Sequence, residues 1–227
     1  MTGSISNPLL AEPKRLLASY GRRRGRRLRT NKQGLMETLL PTLEVEQEFL
    51  TRDPLWLEIG FGGGEHLAHQ AGLNSGVGII GCEPYINGIA GLLKHIDDHG
   101  ITNVRIWQQD ARLLIERLPE ASVERVFILY PDPWPKMRHH KRRLVSMELL
   151  DSLARIMKPG AELRLATDDV DYCTWMLERL LAHDAFTWQA RTCDDWLNPP
   201  QDWISTRYEQ KALAAGRVPT YLNFTRV

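Results

Sequence analysis

The sequence predicts an α/β fold built on a mainly parallel sheet of about seven strands. Three observations carry that expectation. Short apolar runs recur along the 227-residue chain and several of them end in glycine or an acidic residue. Segments with helical apolar spacing alternate with those runs, the pattern of parallel strands joined by right-handed crossovers. No internal repeat or long low-complexity tract interrupts the alternation, so the chain reads as one domain behind a basic leader.

Taken in order, residues 35–49 read as a helix interrupted near Pro41. LWLEIG (55–60) is a first strand, followed by a helix over 65–73. VGIIGCE (77–83) is a second strand, and Ile86, Ile89, Ala90, Leu93 and Ile96 mark the apolar face of the next helix. VRIWQQD (104–110) is a third strand, with a short helix to Leu118. VERVFILY (123–130) is a fourth strand that runs into YPDPWPK. Three alternating prolines can continue neither a helix nor a central strand, so residues 130–136 form a stiff loop presenting Asp132, Trp134 and Lys136. Trp134 either stacks on a substrate or anchors the loop. Residues 144–157 read as a helix ending at KPG, AELRLAT (161–167) as a fifth strand and 172–181 as a helix. FTWQA and TYLNFTRV supply the sixth and seventh strands.

Composition narrows the function classes. No apolar run approaches the roughly 18 residues of a membrane span, and the N-terminus lacks the pattern of a secretion signal. Cys82, Cys173 and Cys193 are odd in number and lack metal-site spacing, so they read as reduced thiols of a cytoplasmic protein. The pairs His66/His69 and His95/His99 can share helix faces but have no clear third ligand, so no metal is expected. The net charge of +1 conceals a polarity. Between Glu12 and Glu37 there is no acidic residue, while Lys14, Arg15, Arg22, Arg23, Arg24, Arg26, Arg27, Arg29 and Lys32 are basic. Taking these nine from the 29 Lys and Arg leaves 20 against 28 acidic residues, a body at −8. Residues 1–34 are therefore read as a flexible phosphate-binding arm and 35–227 as the folded domain.

In an open α/β sheet, ligands sit beyond the carboxyl ends of the strands. The polar groups expected there are Glu58 with Gly60, Gly62, Gly63 and Gly64, then Glu83, Asp110, Asp132 and Asp168. EIGFGGGE is close to a dinucleotide fingerprint, but Glu65 stands where its third glycine would be. Glu83, about twenty residues on, suits the ribose of either NAD or S-adenosylmethionine. Three features favour the second ligand. No lysine or arginine neighbours the glycine loop in sequence to meet a pyrophosphate. Glu58 suits a ligand carrying an ammonium and a sulfonium. Asp110 can accept from the exocyclic amine of adenine. Asp110, Asp168 and Asp169 also precede helices and can serve as N-caps.

EIGFGGGE, YPDPWPK with RHHKRR directly after it, ATDD and TRYE (206–209) resemble the tRNA (guanine-N7)-methyltransferase family from about Ser19 to the C-terminus. The resemblance implies a Rossmann-like class I methyltransferase fold: a mostly parallel sheet with helices on both faces and an antiparallel last strand. It implies S-adenosylmethionine as cofactor, bound by Glu58, Gly60, Gly62, Glu83, Asp110 and Asp132, with Asp132 catalytic. Lys136, Asp168, Thr206, Arg207, Tyr208 and Glu209 would contact the substrate guanine. Arg138, His139, His140, Lys141, Arg142 and Arg143, with Arg22, Arg23, Arg24 and Arg26 of the arm, would contact RNA. The implied product is 7-methylguanosine in the variable region of tRNA. Tyr130 stands where phenylalanine is usual, and Arg207-Tyr208 where lysine-phenylalanine is common. Thr206 to Glu209 are placed in a polar loop before the last strand. Three other readings stay open: an amino-methyltransferase acting on an exocyclic base amine, a non-catalytic RNA-binding protein of the same fold, and a nicotinamide-dependent dehydrogenase. Monomer and homodimer are equally compatible with the sequence.

Overall fold

The computed structural model describes residues 20–227; Lys14 and Arg15 of the basic stretch lie outside them. Seven strands form one sheet: β1 (Leu55–Ile59), β2 (Gly78–Cys82), β3 (Val104–Trp107), β4 (Val123–Leu129), β5 (Met157–Thr167), β6 (Phe186–Trp188) and β7 (Thr220–Arg226). Their spatial order is β3-β2-β1-β4-β5-β7-β6. Pairings among β1 to β5 are parallel, while β7 runs antiparallel to both β5 and β6. The chain leaves β1 toward β2 on one side and returns to β4 on the other. The carboxyl ends of β1 and β4 are therefore the topological switch point, where an open sheet leaves a crevice.

Alternation along the strands splits the core between two faces. Leu55, Leu57 and Ile59 of β1 and Val126 and Ile128 of β4 face one layer, covered by α4 (Ala111–Ile115), α5 (Met147–Ile156) and α6 (Val170–Leu181). Trp56 and Phe127 face the other, covered by α2 (Glu65–Leu73) and α3 (Ile86–His99), with α1 (Thr30–Thr38) at its edge. Ile89, Leu92, Leu93 and Ile96 are fully buried on that side. At about 1.5–3 kcal/mol per buried side chain, the apolar stripe of α3 secures it against the sheet. Its N-terminus is thereby fixed beside the β2 end.

Several boundaries differ from the sequence expectation. The helix read over 35–49 is α1 from Thr30 followed by two single-turn 3-10 helices, because Pro41 starts a new turn it cannot continue from α1. Thr30 lies inside the segment read as arm. The helix read over 144–157 begins at Met147, capped by Ser146, whose hydroxyl accepts from Leu149 N at 3.3 Å. It ends at Ile156. Lys158-Pro159-Gly160 belong to β5, where the register with β4 shifts and a bulge accommodates the proline. Residues 137–142 form a 3-10 helix between the proline loop and α5. Two helices have no counterpart in the sequence reading: α7 (Asp194–Leu197) and α8 (Arg207–Ala214). Among the described residues, no helix is long and apolar enough to cross a membrane.

Candidate functional site

The glycine turn after β1 is shaped by left-handed backbone at Gly60, Gly62 and Gly64, conformations that cost glycine nothing. It is clamped from outside. Gly62 N–H donates to Glu83 Oε2 at 2.9 Å, and Tyr85 N–H donates to Glu83 Oε1 at 2.9 Å. α3 lies against the same turn through glycines the sequence analysis did not single out. A Cβ on Gly88 would stand 2.2 Å from the Gly62 carbonyl oxygen, and one on Gly91 would stand 2.7 Å from that of Gly63. Their signal is glycine within an otherwise apolar helix face.

Three carboxylates converge on the crevice. Burial raises the Glu83 carboxyl; its two backbone donors oppose that, and the charges of Asp132 and Glu58 add to it. Asp132 stands at the exposed rim, yet the surrounding walls desolvate it enough to raise its carboxyl too. Glu58, 2% exposed, is bound to His66 Nδ1 at 2.8 Å. Asp110 has the N-cap role open to it by sequence: Oδ1 accepts from Arg112 N at 3.0 Å, and Oδ2 pairs with Arg112 Nη2 at 2.7 Å. A cleft in which two carboxylates add their charge to a third favours a cationic ligand.

The loop after β4 is held in an uncommon shape, with Tyr130 and Trp134 both at positive φ, 51° and 46°. Such backbone persists only where the surroundings determine it, and Arg143 does so. Its guanidinium is 4% exposed, donates from Nε to the Pro133 carbonyl at 2.8 Å, pairs with Asp171 and lies over the Tyr172 and Trp175 rings. The sequence groups Arg143 with the RNA-facing cations; its burial makes it the loop's anchor instead. Arg142 likewise packs over Tyr20 and Trp134 at 4.7 and 4.9 Å. Trp134 therefore serves as an anchor of the loop. Lys136, Arg138 and Lys141 remain exposed, while His139 and His140 are half-buried.

TRYE does not form a loop. Thr206 caps α8, its hydroxyl accepting from Glu209 N at 3.3 Å. The Thr-x-x-Glu spacing is a helix-start signal that the loop assignment overlooks. α8 lies across the glycine turn: Arg207 pairs with Glu65, and the Tyr208 ring comes within 3.0 Å of where a Gly62 Cβ would be. A cation thus stands beside the glycine turn after all, delivered from 142 residues away. Burial and then the charges of Glu83 and Asp132 raise the Tyr208 hydroxyl. Glu209 points the other way. At 2% exposure it accepts from Trp203 Nε1 at 2.9 Å and from the Tyr221 hydroxyl, and it faces Tyr130. Asp168 pairs with Arg217 Nε at 2.5 Å.

Among the described residues of the arm, Arg23 to Arg26 are tied by their backbone to the start of α3. Ile86 N–H donates to Arg23 O at 3.0 Å, Gly25 N–H to Asn87 Oδ1 at 2.8 Å, and Asn87 Nδ2 to Arg26 O at 2.7 Å. Arg22, Arg23, Arg24 and Arg26 themselves are exposed.

Comparison with known proteins places this arrangement. A family model described as a putative methyltransferase matches residues 52–221. A Ruegeria pomeroyi protein named tRNA (guanine-N(7)-)-methyltransferase is 51% identical over 223 residues, covering 92% of this chain and 94% of its own. Proteins of the same name from Rhodospirillum rubrum and Roseobacter denitrificans are 46% and 57% identical, over 91% and 76% of this chain and 87% and 74% of theirs. Among solved structures, the 16S rRNA methyltransferase KamB superposes with a TM-score of 0.56 at 20% identity, covering 80% of this chain and 92% of its own. An rRNA methylase from Streptococcus thermophilus gives 0.52 at 14%, covering 80% and 93%. These two likenesses speak to the fold.

Proposed function

We infer, since the chain belongs to the tRNA (guanine-N(7)-)-methyltransferase family, that it transfers a methyl group from S-adenosylmethionine to N7 of a guanine in tRNA. The observation that carries the reading at the level of chemistry is the acidic cleft at the β1/β4 switch point, where the charges of Asp132 and Glu58 both bear on Glu83 beside a left-handed glycine turn. When bound, S-adenosylmethionine supplies an electrophilic methyl group on a sulfonium, and a cation of that kind offsets the negative charge gathered there.

The residues fit that ligand. Each Glu83 oxygen already accepts one backbone N–H and keeps a further lone pair for a ribose hydroxyl. In this reading Gly60 and Gly62 let the main chain approach closely, Asp110, while still held by Arg112, accepts from the adenine amine, and Glu58 from the methionyl ammonium. Guanine N7 carries a free lone pair and no proton, so no base is needed before attack. Alignment and charge dispersal remain. Asp132 accepts from the guanine and stabilises the positive charge that develops on it. Arg207, Tyr208, Lys136 and Asp168 position the base; Thr206 and Glu209 support them by fixing α8.

N7 lies in the major groove, deep and narrow in A-form RNA, so the target guanine leaves its stack or lies in a loop. We place it in the variable region of tRNA, in the cytoplasm. Lys136, Arg138 and Lys141 together with the exposed arginines of the arm form the phosphate-binding face. The test is transfer from labelled S-adenosylmethionine to unmodified bulk tRNA, with the product nucleoside identified by mass and retention. 7-Methylguanosine is expected. Methylation of an exocyclic amine would overturn the assignment of the atom, and no transfer by a chain that binds the cofactor would overturn the substrate.

A further inference from the structure

Glu58 is almost wholly buried, and the only hydrogen bond its side chain makes to the described residues is the 2.8 Å contact with His66 Nδ1. A buried carboxylate with a single partner is poorly compensated. The other Glu58 oxygen, Oε1, accepts from none of the described residues. His66 on α2 is itself 1% exposed, and its Nε2 is buried with no partner among the described residues. The ring is packed between two aromatic side chains. It meets Phe127 edge-on at 4.7 Å and Trp203 at a tilt at 5.4 Å.

An imidazole is a poor choice for packing alone, because an apolar side chain of similar size would fill the same space without leaving a nitrogen unsatisfied. What the imidazole contributes here is the Nδ1–H directed at Glu58, which also settles the tautomer. The orphaned Nε2 is the cost of that one contact.

We propose that His66 is a positioning residue for the methyl donor: its Nδ1–H fixes the Glu58 carboxylate so that the remaining oxygen meets the α-ammonium of the methionyl end. The proposal rests on the S-adenosylmethionine reading above and deepens it, assigning discrimination of the amino-acid end of the ligand to a residue outside the cleft. His66 touches no ligand. It acts through Glu58, held by the aromatic cage of Phe127 and Trp203.

The experiment compares two ligands by calorimetric titration: S-adenosylhomocysteine, which carries the ammonium, and 5′-methylthioadenosine, which lacks it. Asparagine places its amide nitrogen where imidazole has Nδ1, whereas glutamine places it nearer Nε2. His66→Gln is expected to lower the ratio of S-adenosylhomocysteine to methylthioadenosine affinity by about tenfold, the scale of one hydrogen bond to a charged group. His66→Asn is expected to keep the wild-type ratio. In a Glu58→Gln background, His66→Gln is expected to add nothing. A ratio taken within one preparation is insensitive to partial loss of folded protein. An unchanged ratio in His66→Gln, an equal fall in His66→Asn, or an effect persisting without the Glu58 charge would each overturn the proposal. So would a His66→Gln chain that does not fold, since the residue would then be holding the core. A wild-type chain that binds methylthioadenosine but not S-adenosylhomocysteine overturns the proposal alone; one that binds neither overturns the cofactor reading with it.

Discussion

Replacing Gly88 by alanine adds one carbon where α3 meets the glycine turn. That Cβ would stand 2.2 Å from the Gly62 carbonyl oxygen, 3.1 Å from its carbonyl carbon and 3.3 Å from Glu83 Cγ. The first separation must open to at least 3.0 Å, a displacement of about 0.8 Å between two backbone segments that cannot rotate away. Movement on that scale is enough to break the 2.9 Å bond from Gly62 N–H to Glu83. Overpacking costs about 1–3 kcal/mol, against a helix-propensity gain of up to about 1 kcal/mol for Gly→Ala. Taking the full gain, the net is a loss of up to about 2 kcal/mol, or a fall in Tm of up to roughly 8 °C for a chain of this size. Because the turn moves relative to Glu83, affinity for S-adenosylhomocysteine should fall at least tenfold, about 1.4 kcal/mol. Gly72, on α2 with nothing within 4 Å of its Cβ position, is the control: Gly72→Ala should leave binding unchanged and Tm equal or slightly raised. Differential scanning fluorimetry and calorimetric titration read both effects. Wild-type binding by Gly88→Ala would refute the idea that α3 sets the turn.

Asp132→Asn should keep cofactor affinity within a few-fold and lower kcat by about a hundredfold or more, the scale of removing one preorganised charge-stabilising group; near-full turnover would reject its role. The raised carboxyls of Glu83 and Asp132 favour the protonated form in the folded state. Their contribution to stability is complete below the ordinary carboxylate range and is lost as pH rises through the raised values. Binding of a cation runs the opposite way, so S-adenosylmethionine affinity should climb with pH across that window, and a flat titration curve would contradict it. Glu209→Gln removes the charged acceptor of Trp203 and Tyr221 and should cost about 2 kcal/mol, lowering Tm by roughly 4–8 °C; an unchanged melt would deny it that supporting role. Alanine at Arg22, Arg23, Arg24 and Arg26 should flatten the dependence of tRNA affinity on log salt by about 0.7–0.9 for each phosphate no longer neutralised. S-adenosylhomocysteine binding should be untouched, whereas an unaltered slope would take the arm out of the interface.

What the sequence made legible was what depends on local pattern. The apolar runs ending at Glu58, Glu83 and Asp132 located the strand ends because a central parallel strand is apolar on both faces. Residues that reach the site from far along the chain left no such mark. Trp203, on the segment between α7 and α8, meets His66 from far along the chain, and Arg207 reaches Glu65 on a helix whose mostly polar sequence concealed it. Charge counting also failed at Arg143, since a guanidinium between Tyr172 and Trp175 reads in sequence like its exposed neighbours. Pro159 within β5 defeated a rule that holds for regular strands and lapses at bulges.

Arg143 joins two segments that lie far apart along the chain. One guanidinium grips the Pro133 carbonyl beside Asp132 and, through Asp171, the start of α6 just after Asp168. The loop after β4 and the first turn of α6 are thereby tied to one buried side chain, and neither shifts without breaking a contact held by the other. Loosening one rim by substitution at Arg143 would therefore loosen the other.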